Sequence, residues 1–241
     1  MTIRLSVIIP AYNEQAWIAQ TLDAIARAQA RLPPMSASEV ILVDNGSVDG
    51  TVTFAGSREQ PVQFRIEHCP TLGAAQARNW GAMRARGDIL IFVDADTLVP
   101  EESLVRVLEH CDLRQYEAGM CALGARDGGL RARCWWFFWN QVRRLPLAKA
   151  KAMPALMFCT RSVFDELGPF DERVVIGEEW PILAGLYRQR QTRLIYDRQL
   201  IARTSSRRME RQSFGYCRTF LKWAWAVIDF RGRVSYRTDI R

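Results

Sequence analysis

Short apolar runs alternate with longer stretches of helical period through the first half of the chain. Residues 5–9 read as a strand, and residues 14–30 as a helix with Trp17, Ile18, Leu22 and Ile25 close to one face. Residues 39–43 are strand-like again and run into the polar turn Asp44-Asn45-Gly46-Ser47, with Asp49 placed to cap a following helix. Residues 62–66 form a third strand, residues 72–86 have helical composition, and residues 89–93 form a fourth strand between Gly87 and an acidic loop. Strand–helix units in this order predict an α/β fold: a mostly parallel central sheet with helices on both faces. Ligands bind beyond the carboxyl ends of the strands of such sheets. The segments ending at Pro10, Asp44 and Asp94 all finish there, each followed by polar residues.

The second half is less regular. The pattern predicts a helix over 101–110, a strand over 117–123, an aromatic helix over 133–144 and a strand over 153–160. A helix follows over 178–190, extended segments over 192–196 and 200–202, and an aromatic-rich C-terminal helix over 207–230. Within the first aromatic helix, Trp135, Phe138 or Trp139, and Val142 fall on a buried stripe, and Trp136, Asn140 and Arg143 form a second face suited to an acceptor wall. No linker composition interrupts the chain. It reads as one domain, 1–241, with halves 1–115 and 116–241.

Composition narrows the class only in part. The 241 residues, 49% hydrophobic and 24% charged, are ordinary for a soluble globular protein with one substantial core. MTIRLSVIIP lacks the features of a secretory leader, and no run reaches membrane-spanning length. The six cysteines are dispersed without a CxxC pair, and His68 and His110 lie far apart, so the expectation is a reduced, cytoplasmic protein without a zinc site. The net charge of +7 suits a nucleic acid, an anionic membrane surface or a phosphorylated small substrate. The aromatics are not interleaved as in an RNA-binding module, so nucleic acid is not expected.

The stretch DILIFVDADT at 88–97 delivers two carboxylates to one loop. Asp94 and Asp96 point to the same side of an extended segment and offer hard oxygen ligands to Mg²⁺ or Mn²⁺, whereas a plain turn is the simpler alternative. No GxGxxG follows the first strand and no P-loop exists, so a bound diphosphate would need a metal and arginine or lysine. Among groups able to take a proton, the pair Glu178-Glu179 after Gly177 stands where a helix N-terminus can hold a carboxylate.

Four blocks carry a family resemblance. SVIIPAYNE at 6–14, VDNGSVDGT at 43–51, ARNWGAMRARGDILIFVDADT at 77–97 and TRSVFDELGPFDERVVIGEEW at 160–180 resemble, in order, the signatures of the family 2 glycosyltransferases. The resemblance implies the GT-A fold and a metal-dependent, inverting transfer of sugar from a nucleotide-diphosphate donor such as a UDP-sugar. It implies nucleotide contact for Pro10, Ala11, Tyr12, Glu14 and Asp44, the last accepting the imide N–H of a pyrimidine. It further assigns Arg78 to the nucleotide and donor, Asp96 to the metal, and Asp94 to the ribose, sugar or metal. Glu179 becomes the base and Glu178 its supporting acid, although the family usually has Glu-Asp there. Arg207 and Arg208 fall on a loop that closes over the diphosphate in some members, and the later histidine that many relatives use for metal is replaced by none after His110. Asn45 stands where an Asp is frequent. Implied partners are a nucleotide sugar and a glycan, lipid-linked or small acceptor, with peripheral contact at the cytoplasmic face of a membrane. Two other readings stay open: a decayed, membrane-associated sugar-nucleotide-binding protein, and a nucleotidyltransferase.

Overall fold

The computed structural model describes residues 3–57, 61–147, 154–174 and 177–207. Its centre is an eight-stranded sheet in the order β3-β2-β1-β4-β7-β6-β8-β5. The strands are β1 (Ile3–Ala11), β2 (Ala37–Asp44), β3 (Phe64–His68), β4 (Ile89–Val93), β5 (Thr97–Leu98), β6 (Ala118–Ala125), β7 (Leu156–Thr160) and β8 (Leu194–Thr204). The helices are α1 (Ile18–Ala30), α2 (Thr51–Gly56), α3 (Ala74–Arg84), α4 (Ser103–Asp112), α5 (Leu130–Val142), α6 (Arg161–Leu167) and α7 (Trp180–Gln189).

The block β3-β2-β1-β4 is parallel throughout, as the alternation of elements predicts. Beyond β4 the sheet becomes mixed: β7 runs antiparallel to both β4 and β6, while β8 is parallel to β6 and pairs with the short edge strand β5 in the opposite sense. Both faces are covered. Leu5, Val7 and Ile9 of β1 with Ile89, Ile91 and Val93 of β4 face one apolar layer, and Ile8, Leu90 and Phe92 face the other. That two-sided burial is why these strands are unbroken apolar runs.

Helix α3 lies close on the sheet at Gly81, where a Cβ would stand 2.5 Å from Ile8 Cγ2 and 2.9 Å from Val43 Cγ2. Its C-terminus is closed by Arg161, which donates to the carbonyls of Ala82 (2.8 Å), Ala85 (2.7 Å) and Gly87 (3.2 Å). Carbonyls at a helix C-terminus lack intrahelical donors, and Arg161 supplies them here.

Several predicted boundaries shift. Residues 14–17 form a turn before α1, with the N–H groups of Trp17 and Ile18 both donating to Glu14 O. Helix α7 begins at Trp180, so Glu178 and Glu179 precede the helix instead of lying inside it. The two extended segments near the end join into one bulged strand, β8, and the α6 helix and β5 edge are additions. In α5 only Ala132 and Trp139 are buried, a narrower inward stripe than the predicted one; Phe138 is exposed and Arg143 is buried. The predicted C-terminal helix lies outside the described residues apart from Arg207, as does Arg208.

Candidate functional site: the carboxyl edge of the sheet

The first two loops at the carboxyl edge are stitched to each other. Asn45 N–H donates to Ala11 O (2.8 Å), Asn13 N–H to Ser47 Oγ (3.1 Å), and Val48 N–H to Asn13 Oδ1 (2.9 Å). Asn13 has φ 56°, a left-handed conformation that asparagine tolerates. Asp44 ends β2 with a buried carboxylate; Oδ1 accepts from Ser47 N–H (3.1 Å) and Oδ2 lies 3.3 Å from His68 Nδ1. Pro10 and Ala11 line the end of β1, and Tyr12 is 43% exposed at the mouth. Asn45 donates from Nδ2 to Thr71 O (2.7 Å) and accepts Gly73 N–H on Oδ1 (2.6 Å). A carboxylate has no N–H to donate, so the amide at this position ties down the loop before α3 in a way Asp cannot.

Arg78, on α3, joins the two halves of the edge. Its Nη2 donates to Asp94 Oδ1 and its Nη1 to Glu178 Oε1, both at 2.7 Å. Burial alone would depress this guanidinium, but Asp94 and Glu178 outweigh that and raise its pKa. The neighbouring Asn79 donates to Phe170 O (3.0 Å) and Glu172 Oε1 (2.8 Å) and accepts Phe170 N–H (2.9 Å), so it orders the loop ahead of Glu178.

Asp96 sits where the last described segment folds back over the edge. Thr204 Oγ1 donates to Asp96 Oδ1 (3.2 Å), and Arg207 Nη2 lies 3.6 Å from Asp96 Oδ2 while pairing directly with Glu14. Ser205 Oγ and Ser206 N–H donate to Asp127, at 3.1 and 2.7 Å. Among the described residues no group of three or more His, Cys, Asp or Glu forms a complete metal cage. Asp96 offers hard carboxylate oxygens, one of them facing Arg207 here, and such a ligand suits Mg²⁺ or Mn²⁺ only with phosphate and water completing the shell.

Glu179 is 4% exposed. Its carbonyl accepts the N–H groups of Ile182 (3.1 Å) and Leu183 (3.0 Å), which makes it the first residue before α7. Gly177 sets the approach with φ +84°, and a Cβ there would meet the Trp180 ring at 2.6 Å. Arg78 and Arg143, which follows the last residue of α5, both feel the Glu179 charge. Arg143 is fully buried and donates to Asn140 Oδ1 (3.2 Å); burial pulls its pKa down against the opposing influence of Tyr196, Cys121 and Glu179.

The profile of glycosyl transferase family 2 matches residues 6–164, more than half of the chain. The chain belongs to glycosyl transferase family 2. It is 29% identical over 179 residues to the glycosyltransferase AglE of Haloferax volcanii, an alignment covering 72% of this chain and 58% of that protein. It is 35% identical over 106 residues to a validoxylamine A glucosyltransferase of Streptomyces hygroscopicus, covering 43% of this chain and 24% of that one. Among solved structures, a mannosyltransferase of Pyrobaculum calidifontis in complex with GDP-Man and Mn²⁺ superimposes with a TM-score of 0.68 at 22% identity, over 97% of this chain and 66% of that one. Glucosyl-3-phosphoglycerate synthase of Mycobacterium tuberculosis superimposes with a TM-score of 0.61 at 16% identity, over 93% and 80%. The fold is therefore of the GT-A type, and the chain spans 58% of the length of the Haloferax relative.

Within this family 2 chain, tertiary structure adds residues that the motifs do not mark. Arg126 donates to Asp96 O (3.1 Å) and stacks 4.6 Å over the Trp17 ring; Asp127 and Thr204 secure the segment bearing Arg207. Arg126 and Asp127 follow the end of β6, the only advance signal for them. His68 contacts Asp44, and His110 is committed to Asp197 (2.8 Å), away from the edge.

Proposed function

We propose that this chain is a metal-dependent, inverting glycosyltransferase that moves a sugar from a nucleotide-diphosphate donor, a UDP-sugar in the first instance, to a hydroxyl of a glycan, lipid-linked or small acceptor. The observation that carries the reading is the Arg78 bridge, which joins Asp94 of the acidic loop to Glu178 of the turn ahead of α7. The structural neighbours were solved with GDP-Man and Mn²⁺ and with UDP and Mn²⁺, which supports a nucleotide-sugar donor and a divalent ion.

On this reading Asp44 accepts the base imide while Pro10, Ala11, Tyr12 and Glu14 bound the nucleotide. Asp96 holds the ion with support from Asp94, and when bound that ion neutralises charge on the departing diphosphate. Arg78, Arg207 and Arg208 supply further positive charge. Glu179 takes the acceptor's proton as its oxygen attacks the anomeric carbon from the face opposite the diphosphate, and Glu178, fixed by Arg78, supports it. Residues 1–115 serve the donor and residues 116–241 the acceptor. Among the described residues no helix is long and apolar enough to cross a membrane. We read the chain as cytoplasmic-facing, with peripheral contact at a membrane.

The experiment is release of nucleoside diphosphate from a panel of nucleotide sugars with Mn²⁺ or Mg²⁺, against Glu179→Gln. Turnover that the variant abolishes supports the reading. Tight donor binding without turnover in the wild type favours the decayed relative, because Glu179 replaces the family's usual Asp.

A further inference from the structure

Helix α5 carries an apolar stripe that faces outward. Leu130 is 76% exposed, Phe137 67%, Leu145 46% and Leu147 51%. Cys134 is exposed on the same line, and positions 130, 134 and 137 recur at helical spacing, with Leu145 and Leu147 in the turn that follows the helix. The opposite side is pinned. Trp139 is buried; Asn140 donates to Leu123 O (2.8 Å) and accepts Leu123 N–H (3.1 Å), and Tyr196 donates to Asn140 Oδ1 (3.1 Å). Rolling the helix to hide Phe137 would break all three bonds, so the protein holds this stripe toward solvent. Contiguous exposed apolar residues of this kind mark a surface that is covered in use.

Charge identifies what covers it. No Asp or Glu occurs between Asp127 and Asp165. Arg131, Arg133 and Arg144 are exposed beside the apolar stripe. A second copy docked stripe to stripe would bring these like charges together. A nucleic acid would leave the leucines and Phe137 without an apolar counterpart. An anionic bilayer satisfies both halves of the pattern, taking the apolar side chains at its acyl boundary and the arginines among its headgroups.

We propose that α5 and the residues up to Leu147 dock the protein on an anionic phospholipid surface. The inference deepens the glycosyl-transfer reading and rests on it for its purpose: an enzyme held at a bilayer meets acceptors displayed there. The acceptor class that this geometry favours is a hydroxyl presented at a membrane surface.

The test is flotation with phosphatidylcholine vesicles, with and without phosphatidylglycerol, over a salt series. Wild type should float with the anionic vesicles only, and less as salt rises. Arg133→Gln/Arg144→Gln should bind about 25-fold more weakly, at about five-fold per arginine. Phe137→Ser/Leu145→Ser should lose flotation at every salt concentration. All four positions are exposed, so folding is preserved; titration of UDP with Mn²⁺ should match wild type in both variants, which separates failed docking from failed donor binding. Wild type that ignores anionic vesicles, or variants that float like wild type, would overturn the proposal. So would a wild-type dimer in sedimentation that Phe137→Ser/Leu145→Ser disperses, or RNA binding that survives that variant while vesicles are ignored.

Discussion

The two halves of the sheet deliver functional groups by different means. In the parallel block, Ala11, Asp44 and Asp94 stand at or just beyond the ends of their own strands, and short backbone bonds lock the loops to one another. In the mixed half, Glu178 and Glu179 come from a turn ahead of a helix, Arg143 from a helix end, and Arg207 from the segment after β8. Positions in the first half follow from strand geometry. Those in the second depend on ion pairs and side-chain bonds formed across the chain, with Arg78 spanning the boundary. The parallel block is thus pre-built by strand geometry, and the groups of the mixed half are held by a few replaceable contacts.

Removing the proposed base in the mixed half should have the largest effect. Glu179→Gln preserves size and removes the proton acceptor, so transfer should fall by roughly 10²–10⁴ with donor affinity nearly unchanged. Steady-state rates beside donor titration give the answer, and a matching loss in donor affinity would tie Glu179 to the donor half. Glu178→Gln should be milder.

Removing the bridge tests whether the halves are coupled. Arg78→Met leaves Asp94 and Glu178 without their partner, and stability in urea should drop by about 3–5 kcal/mol. Lysine should rescue little, because one ammonium cannot reproduce a fork that holds two carboxylates. A loss of under about 1 kcal/mol would mean that the halves stand independently.

A comparable pair lies inside the mixed half, away from the edge. Asp197 accepts from His110 Nε2 (2.8 Å), Arg106 Nε (2.9 Å) and the N–H groups of Gln199 (2.9 Å) and Leu200 (3.2 Å). Burial raises its pKa, and these four bonds together bring it below the usual value. A depressed carboxylate contributes stability above its unfolded pKa of about 3.9 and loses it as pH falls through the lower folded value. Asp197→Asn should therefore cost about 1.5–3 kcal/mol near neutrality and flatten the acid limb of the stability profile below about pH 4.

The metal assignment predicts a change in linkage more than in fold. Asp96→Ala should abolish the strengthening of UDP binding by Mn²⁺ while leaving metal-free binding close to wild type; calorimetry with and without chelator reads both. Equal metal dependence in the two proteins would remove Asp96 as the ligand. The smallest effect concerns packing. Gly81→Ala presses a methyl on Ile8 and Val43, and Gly119→Ala presses one on the Phe158 ring and Ile195. Each should cost about 1–3 kcal/mol in thermal or chemical unfolding.

Most of the donor half was legible from the chain alone, because a strand between turn residues and a carboxylate at its end are both local features. Four strands, their parallel order and the placing of Asp44, Asp94 and Asp96 follow from period-2 and period-3.6 patterns within short windows. The family blocks added order but not contacts. Asn45 departs from the family's Asp, and the structure supplies its reason in the donation to Thr71 O, which a carboxylate cannot make.

Tertiary structure alone decided the rest. No local pattern says that β7 runs against β4, since strand direction depends on where the chain returns and not on which residues form the strand. Nor does one say that Arg78 reaches Glu178 one hundred positions away, that Arg143 is buried while Phe137 is not, or that Arg207 lies against Glu14. An amphipathic helix with aromatics on several faces can turn any of them inward. Which one is buried is settled by Asn140, whose partners Leu123 and Tyr196 come from β6 and β8 and meet it only once the chain has folded.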